Sequence, residues 1–412
     1  MKADVVVGAQ WGDEGKGKVV DFLATQYEHF VRFNGGPNAG HTVVVGEKRF
    51  TFHHVPSAAL SGKSLYVGPG VVINPQILRE EAEGIRGLVG SLHLTVDYRA
   101  SLITPAEVEL DKRIEVMKAQ SAVGTTLRGI GPAYSSRALR ISPRVVDVLR
   151  KDFDFSIYEA LYGIKLDWKK WLDDSRDVLG GLAGDVRNEL KDALDRGESV
   201  LFEAAQGTLL DLVFGTYPYV TSSGTTAPHA FSSTGLSYKY AGKVLGVAKA
   251  YITRVGSGPM PTELKGNIAD YIREKGNEYG STTGRPRRVG WLDIPLLRYA
   301  KEINGMDELF LTKLDVLAGL NELKVAVAYM MDGSERKSVP ADADLSLVEP
   351  VYQNVVPIPK LSPGDIWKIV KEGWKCAPKE MKDYVKLIEE LAGVPVTYVS
   401  LGPQREMTVR VA

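Results

Sequence analysis

The sequence contains a single cysteine, Cys376, among 412 residues. One cysteine excludes a disulfide within the chain and any zinc or iron–sulfur site built on several cysteines, and it fits a reducing compartment. Long apolar runs are also missing, since no stretch of about 18 apolar residues could span a bilayer. Only three consecutive apolar residues precede Gly8, too few for a signal peptide. We therefore expect a cytoplasmic protein that does not span a membrane.

Net charge is absent as well, because 51 lysines and arginines balance 51 aspartates and glutamates. A neutral chain has no overall field that attracts nucleic acid or an anionic membrane, so we expect neither as a partner. Any anionic ligand must be bound by local groups. The 42 glycines, about a tenth of the chain, exceed the usual ~7% and indicate functional loops.

Apolar strand-like runs alternate with helical patterns along the chain. This alternation predicts an α/β fold with a largely parallel central sheet flanked by helices. The patterns predict, among others, helices over 105–118 and 168–196 and a strand over 245–255. Because no internal repeat or linker is visible, we interpret residues 1–412 as one elaborated domain. The mostly helical residues 101–197 are expected to form a subdomain inserted in it.

The first predicted strand ends in a glycine-rich loop that leads into a helical pattern. Glycines at the start of a helix let backbone N–H groups approach phosphate oxygens, and the helix dipole favours an anion there. Gly12, Gly17 and Lys18 fit the P-loop pattern G-x4-G-K-[ST], but Val19 replaces the final magnesium-binding hydroxyl. Asp13 could supply an oxygen ligand instead. The alternative is a glycine-rich turn with solvated charges, but two lysines and an acidic pair after a buried strand favour phosphate binding.

A second loop, at residues 33–42, is richer in glycine and asparagine than a hairpin requires. Asn38 offers an amide donor and acceptor, and His41 follows a glycine that permits close approach. Asp13 and His41 on neighbouring loops could form an acid–base pair. A lone histidine is more often structural than catalytic, so this reading of His41 stays open on the residues alone.

The run ELFLTKLD, residues 308–315, is a short apolar strand with Lys313 and Asp315 at its carboxyl end, where α/β sheets bind ligands. In N/T-K-x-D sequences the aspartate accepts hydrogen bonds from N1–H and the 2-amino group of guanine. Adenine lacks both donors, so binding it leaves the buried carboxylate unpaired. The alternative is a simple helix cap at Asp315. Together with the phosphate loop, this motif indicates GTP.

Residues 280–288 combine three hydroxyls with Arg285, Arg287 and Arg288. Arginine forks bind carboxylates and phosphates with two hydrogen bonds, so this loop suits an anionic small substrate. Hydroxyl and amide groups on the turns at 124–132 and 205–223 add polar contacts, although each turn taken singly is typical of an ordinary surface loop.

Taken together and in this order, these motifs resemble the adenylosuccinate synthetase family. The resemblance covers nearly the whole chain through WGDEGKGKVVD, GGPNAGHT, GIGPAY, EAAQGTLLD, GTYPYVTSS, TRVGSGPMPTEL, GNEYGSTTGRPRRVGWLD, LTKLDVL and LGP. It implies a fold like that of P-loop NTPases and a GTP-dependent ligase that joins IMP to L-aspartate in AMP biosynthesis. A carboxylate takes the N1 proton of IMP while the 6-oxygen attacks the γ-phosphate of GTP. The amine of aspartate then displaces phosphate from C6 of 6-phosphoryl-IMP and forms adenylosuccinate.

The resemblance also implies a role for each matching residue. The catalytic set is Asp13 as general base, His41 as general acid, Lys16 facing the phosphates, and Gln206. Magnesium would be bound by Asp13 and the carbonyl of Gly40. The implied IMP contacts are Asp13, Glu14, Gly15, Lys16, Asn38, Ala39, Gly40, His41, Thr126, Arg140, Gln206, Thr221 and Arg285. The implied GTP contacts are Gly12, Asp13, Glu14, Gly15, Lys16, Gly17, Lys18, Gly40, His41, Thr42, Arg287, Lys313, Leu314, Asp315, Ser400, Leu401, Gly402 and Pro403. The implied aspartate loop is Ser281, Thr282, Thr283, Gly284, Arg285, Pro286 and Arg287.

Arg140 matches an arginine that in the family reaches into the IMP site of a second subunit, so the resemblance implies a homodimer. Three residues depart from the family pattern. Leu127 stands where the family usually has a glycine, Pro286 where an arginine is common, and Pro37 where a histidine is frequent. Asp13 itself matches the family pattern. These departures concern affinity more than reaction type.

Two rival functions remain in view. A GTPase switch or GTP-regulated binding protein accounts for the phosphate loop and TKLD, but it does not require the arginine-rich loop or a histidine near the phosphate. A synthetase of the same chemistry acting on a guanine deoxynucleotide is closer. The presence of Asp13, with the full set of IMP-matching positions, favours IMP.

Overall fold

The computed structural model describes residues 2–46, 48–119, 123–151, 153–280, 284–341 and 343–411. In chain order its strands are β1 (Ala3–Gly8), β2 (His29–Arg32), β3 (His41–Val45), β4 (Lys48–Phe52), β5 (Ser64–Val67), β6 (Val72–Ile73), β7 (Leu94–Asp97), β8 (Ser101–Leu102), β9 (Ala183–Gly184), β10 (Val200–Glu203), β11 (Ala241–Lys249), β12 (Ile252–Arg254), β13 (Arg288–Gly290), β14 (Leu292–Asp293), β15 (Glu308–Thr312), β16 (Leu323–Met331), β17 (Ser334–Arg336), β18 (Glu349–Val355), β19 (Val396–Ser400) and β20 (Thr408–Arg410). Its helices are α1 (Lys16–Phe22), α2 (Pro75–Val89), α3 (Pro105–Lys118), α4 (Ile130–Leu139), α5 (Val145–Arg150), α6 (Ser156–Tyr162), α7 (Trp168–Leu179), α8 (Val186–Asp195), α9 (Ala227–Thr234), α10 (Asn267–Lys275), α11 (Ile294–Asn304), α12 (Pro363–Glu372) and α13 (Lys379–Ala392).

The largest sheet among the described residues has the strand order β20-β19-β15-β11-β1-β10-β2-β5-β7-β9. Neighbouring strands in it are parallel, except for the antiparallel edge pair β19 and β20. The predicted α/β class with a largely parallel central sheet flanked by helices is confirmed. β3 and β4 form a separate antiparallel hairpin beside this sheet.

Both faces of the central sheet are covered. Side chains alternate along β1, so Val5 and Val7 pack in one apolar cluster while Val6 packs in another on the opposite face. Helices α11 and α13 contribute to the first cluster, and α1 and α2 to the second. Burial on both faces explains why the first strand is a continuous apolar run rather than an alternating one.

Two of these elements differ from the prediction, one for a local reason and one because of a residue distant in the chain. The helix predicted over 168–196 is interrupted, because the Gly180–Gly181 pair ends α7 and the chain forms β9 before α8 begins. The strand predicted over 245–255 begins earlier, at Ala241, and ends after Lys249. There the side chain of Gln10 bonds to the backbone of Lys249 on both its N–H and its carbonyl, at 3.1 Å each, where a neighbouring strand would otherwise pair.

Helix α3 has the predicted bounds because its start is capped. The Thr104 side chain accepts a hydrogen bond from the N–H of Ala106 at 3.2 Å, and Glu107 accepts one from the N–H of Thr104 at 2.9 Å. Within residues 101–197, β9 pairs with β7 of the central sheet. The interpretation of this stretch as a helical subdomain stays a prediction. Across the described ranges, every helix is too short or too polar to cross a bilayer.

Candidate active site

A cavity of about 920 Å³ lies at the carboxyl ends of the central strands β1, β10, β11, β15 and β19. Ligands of open parallel sheets bind at this edge. The predicted site residues that line the cavity are Gly12, Asp13, Glu14, Gly15, Lys16, Gly17, Lys18, Asn38, Ala39, Gly40, His41, Thr42, Thr126, Gln206, Thr221, Arg285, Arg287, Lys313, Asp315, Ser400, Gly402 and Pro403. The fold thus brings together loops that are up to about 390 residues apart in the chain.

A few predicted residues lie elsewhere. Leu314 and Leu401 are buried beside the cavity lining. Arg140 is exposed at the end of α4. Gly284 and Pro286 are exposed on either side of Arg285. Ser281, Thr282 and Thr283 lie outside the described residues.

The side chain of Glu14 stabilises the loop that follows β1. Its buried carboxylate accepts hydrogen bonds from the N–H groups of Gln10 at 3.1 Å and Gly12 at 2.8 Å, and it forms an ion pair with Lys16 at 2.7 Å. Gly12 takes a positive φ of 85°, which a glycine adopts without strain. The carboxylate of Glu14 therefore turns inward, whereas the neighbouring Asp13 side chain is exposed to the cavity.

Asp13 is paired with an arginine from a distant loop. The Nε atom of Arg287 lies 2.9 Å from Oδ2 of Asp13, and the NH1 group of Arg287 donates to Glu278 at 2.6 Å. Burial alone would lower the pKa of Arg287, but the two carboxylates outweigh it and raise that pKa. A permanently charged guanidinium thus lies beside the carboxylate of Asp13, which the family resemblance predicts as the general base.

His41 begins β3 and is held by a buried carboxylate, that of Glu203 at the end of β10. The His41 Nδ1 atom contacts Glu203, whose other oxygen accepts a hydrogen bond from the N–H of Ser57 at 2.8 Å. Burial and the nearby Arg32 lower the pKa of His41. Burial alone would raise the pKa of Glu203, but His41, Arg32 and Ser57 outweigh it and hold that pKa at about 2. Bonding at Nδ1 leaves Nε2 of the ring for a ligand.

Asp13 and His41 line the same cavity, each with its own ion-pair partner. The structure therefore brings the two predicted acid–base residues to one site. Among the described residues, no direct hydrogen bond or ion pair joins them.

The T-K-L-D motif starts at the end of β15, and its Lys313 and Asp315 line the cavity. The Nζ atom of Lys313 donates to the carbonyl of Gly276 at 2.6 Å and to Glu278 at 2.7 Å. Asp315 lines the cavity, and its Oδ1 atom is buried without a hydrogen-bond partner in the described part of the chain. Burial raises the pKa of this carboxyl group. A buried acceptor with no partner is what a ligand with N–H donors would satisfy.

Lys18, in α1, bonds to the end of β19 and to the segment that follows it. Its Nζ atom donates to Ser400 Oγ at 2.5 Å and to the carbonyl of Gly402 at 2.7 Å. Burial lowers the pKa of Lys18 to about 7. Lys18 thus lines the cavity and also holds the segment 400–403, which the resemblance predicts beside the guanine base.

Asn38, Thr221 and Gln206, which are predicted to bind IMP, also line the cavity. Asn38 donates to Thr221 Oγ1 at 3.4 Å and accepts from the N–H of Gly36 at 3.1 Å. Gln206 has a positive φ of 58°, and its buried Oε1 lacks a hydrogen-bond partner within the described ranges. Like Asp315, it is an acceptor that a ligand would complete.

A model of the adenylosuccinate synthetase family matches residues 5–409. The chain belongs to the adenylosuccinate synthetase family. The predicted function, a GTP-dependent ligase that forms a C–N bond, is thereby confirmed, and the GTPase switch is not favoured.

Relatives within the family agree over their full lengths. The chain is 42% identical to adenylosuccinate synthetase of Carboxydothermus hydrogenoformans, covering 99% of each chain. It is 44% identical to that of Thermus thermophilus, covering 99% of this chain and 98% of the relative. Among solved structures, the fully ligated adenylosuccinate synthetase from Plasmodium falciparum superposes with a TM-score of 0.93 at 36% identity, covering 100% of both chains.

A more distant structure shares the fold. The succinoaminodeoxyadenylate synthetase of cyanophage S-2L, bound to dGMP and dATP as an energy donor, has a TM-score of 0.67 at 21% identity. It covers 99% of this chain and 95% of its own. At that identity the likeness shows the fold alone.

Sequence reasoning missed several residues of this synthetase site. Glu203 and Glu278 are fully buried carboxylates that hold His41, Arg287 and Lys313. Arg254 lines the cavity with its guanidinium bonded to backbone carbonyls and 5.0 Å from the ring centroid of Trp11. The position of Glu278 just before the arginine-rich loop is the only signal that could have indicated one of them.

Proposed function

We propose that this synthetase binds IMP, GTP and L-aspartate together in the 920 Å³ cavity and performs both steps there. The observation that carries the proposal is the pairing of two features in one cavity. The exposed Asp13 faces Arg287, and in the same cavity the Oδ1 atom of Asp315 is buried without a hydrogen-bond partner among the described residues.

The base of GTP is placed against Asp315. The N1–H and 2-amino groups of guanine are two donors that would satisfy the unpaired carboxylate, whereas adenine would leave it unpaired. Lys313 lines the same cavity and offers its stem to the ring. Ser400, Gly402 and Pro403 close this side, held by Lys18.

Asp13 is assigned as the general base that removes the N1 proton of IMP. Its carboxylate is exposed to the cavity, whereas the carboxylate of Glu14 is occupied by the backbone. Removing that proton makes the 6-oxygen a nucleophile towards the γ-phosphate, which a positioned base accelerates by about 10²–10⁴. His41, held at Nδ1 by Glu203, presents Nε2 to the phosphoryl group in transfer and is assigned as the general acid in its protonated form, in which both ring nitrogens carry a proton.

The donors at Asp13 and Gly40 fit a magnesium ion. One exposed carboxylate and one carbonyl are hard oxygen ligands, and Mg²⁺ takes its remaining ligands from water and phosphate oxygens. No cluster of three acidic, histidine or cysteine side chains occurs in the described residues, so a cage made only of protein is not what this site offers. When bound, the ion neutralises charge on the transferring phosphoryl group. Lys16, now paired with Glu14, adds a second positive charge nearby.

IMP is placed against Asn38, Thr126, Gln206 and Thr221, all of which line the cavity. Aspartate is assigned to the loop of residues 281–287, where the side chain of Arg285 reaches the cavity. An arginine fork suits the two carboxylates of this substrate.

The protein is proposed to act as a homodimer in the cytoplasm. Arg140 ends α4 with an exposed side chain and lies outside the cavity lining of its own chain. A second subunit would receive this guanidinium at its IMP site. Each site would then need both chains.

The test is a phosphate-release assay with purified protein, magnesium and GTP, adding IMP and aspartate separately and then together. Release only with both, with a product of adenylosuccinate mass, is the expected result. Release with GTP alone contradicts the proposal, and turnover with a guanine deoxynucleotide in place of IMP assigns the other substrate.

A further inference from the structure

Glu278, just before the arginine-rich loop, is a fully buried carboxylate with cations on several sides. Its Oε1 accepts from Lys313 at 2.7 Å and from the hydroxyl of Tyr251 at 2.6 Å, and its Oε2 accepts from Arg287 at 2.6 Å. The buried Lys249 lies 3.3 Å from both oxygens. The residue itself does not line the cavity.

We propose that Glu278 is a positioning residue that fixes the guanine-side Lys313 and the reaction-side Arg287 relative to each other, so that base recognition and catalytic geometry depend on one carboxylate. The inference rests on the proposed function, which places the guanine base of GTP against Asp315, two residues after Lys313, and the reaction at Asp13, the partner of Arg287. The link continues to the reacting end, because Arg287 lies 2.9 Å from Asp13 through its Nε atom.

Charge supports this link. Glu278 and Asp13 carry two negative charges against the three positive charges of Lys249, Lys313 and Arg287. Burial alone would raise the pKa of Glu278, but the three cations outweigh it and lower that pKa. The carboxylate therefore stays ionised, and a charged partner holds long lysine and arginine side chains in one geometry better than a neutral one does.

The geometry is also anchored from the backbone. The N–H of Arg287 donates to the carbonyl of Glu278 at 2.9 Å, so the two residues face each other across the loop. Tyr251 follows the end of β11 and fixes the carboxylate without entering the cavity. Both contacts place Glu278 between the sheet and the substrate groups.

The decisive variant is Glu278→Gln, which keeps the size and removes the charge. We expect KM for GTP to rise about tenfold and kcat to fall about tenfold, while KM for IMP changes by less than twofold. Affinity for GDP, measured by calorimetry, should fall about tenfold as well. A merely structural role would lower the active fraction and leave KM for GTP and the GDP affinity unchanged.

The matched control is Glu263→Gln. Glu263 pairs with Arg288, the next arginine of the same loop, at 2.5 Å, and both side chains are about 30% exposed. This variant removes a carboxylate from a neighbouring arginine outside the proposed link, so KM and kcat should stay within twofold of the parent protein.

Tyr251→Phe decides the matter if Glu278→Gln does not fold. It keeps every charge and removes only the hydroxyl that bonds to Oε1 of Glu278, so KM for GTP and kcat should move in the same directions by about threefold. Unchanged KM for GTP and GDP affinity in the folded variants would overturn the proposal. If the parent protein instead releases phosphate without IMP and aspartate, the proposed function fails independently of Glu278.

Discussion

If the proposed site is right, nucleotide choice depends on one side chain, that of Asp315, whose Oδ1 atom has no hydrogen-bond partner among the described residues. Asp315→Asn replaces an acceptor oxygen by a donor NH₂ group, so it should lower kcat/KM for GTP by about 10². The preference for GTP over XTP should also become smaller, because the 2-oxo group of XTP can accept a hydrogen bond from the amide. The ratio of kcat/KM values for GTP, XTP and ATP measures this. The control is Asp270→Asn, which changes an exposed side chain of α10 and should keep the ratio of kcat/KM values of the parent protein.

Asp13 is the residue to which the proposed function assigns the role of general base. Asp13→Ala removes the base, so formation of 6-phosphoryl-IMP should fall by about 10²–10⁴. Phosphate release in the presence of all three substrates gives the rate, and calorimetry with GDP shows whether the nucleotide still binds. Turnover within tenfold of the parent protein would contradict the assigned role.

At the scale of the elements, α11 begins at a buried acid. Asp293 caps this helix by accepting from the N–H of Leu296 at 3.1 Å, and the hydroxyl of Tyr329 donates to it at 2.6 Å. Burial raises the pKa of Asp293 from 3.8 to about 7. Its contribution to stability is therefore complete below pH 3.8 and is lost as the pH rises to about 7, because the unfolded chain releases this proton first.

Asp293→Asn keeps the cap and cannot ionise, so it should remove this pH dependence. Between pH 4 and 8 the unfolding free energy of the variant should rise relative to the parent protein, by about 4 kcal/mol at most. Urea unfolding at pH 5 and pH 8 measures the difference. Asp167→Asn, at the exposed cap of α7, is the matched control, and an equal change there would speak against Asp293 as the source.

Elements with strong local signals were predictable from the sequence. Helix α3 has Pro105 at its first position and Thr104 as its cap, so its bounds follow from neighbouring residues. The break after α7 depends on a glycine pair inside an otherwise helical pattern, which only lowers helix propensity by about 1 kcal/mol per residue. The end of β11 depends on Gln10, about 240 residues away, and no local pattern contains that contact.

The same division applies to the site. Asp13, His41 and Lys313, which the structure places at one cavity, could be predicted because each lies in a short motif whose chemistry is readable along the chain. Their partners could not, because Glu203 and Glu278 reach them only after folding. A buried carboxylate in a strand or loop has no spacing rule that distinguishes it from a surface charge.

At the scale of the whole molecule, the exposed Arg140 leads to a test of subunit sharing. Arg140→Leu and Asp13→Ala should each be inactive alone, because each damages every site of its dimer. Mixed and re-equilibrated in equal amounts, they should recover about a quarter of the parent activity, since half of the dimers are mixed and each carries one intact site. Phosphate release before and after mixing measures this, and no recovery would contradict a shared site.

The strand order has a further consequence for how the chain is made. β1 lies between β10 and β11, so both of its partners are about 200 or more residues further along the chain. At roughly 5–20 residues per second, a ribosome needs about 10 to 50 s to produce them. Throughout that time the apolar residues Val5 to Val7 leave the ribosome without a sheet to join. β1 therefore takes its place between β10 and β11 only after more than half of the nascent chain has been made.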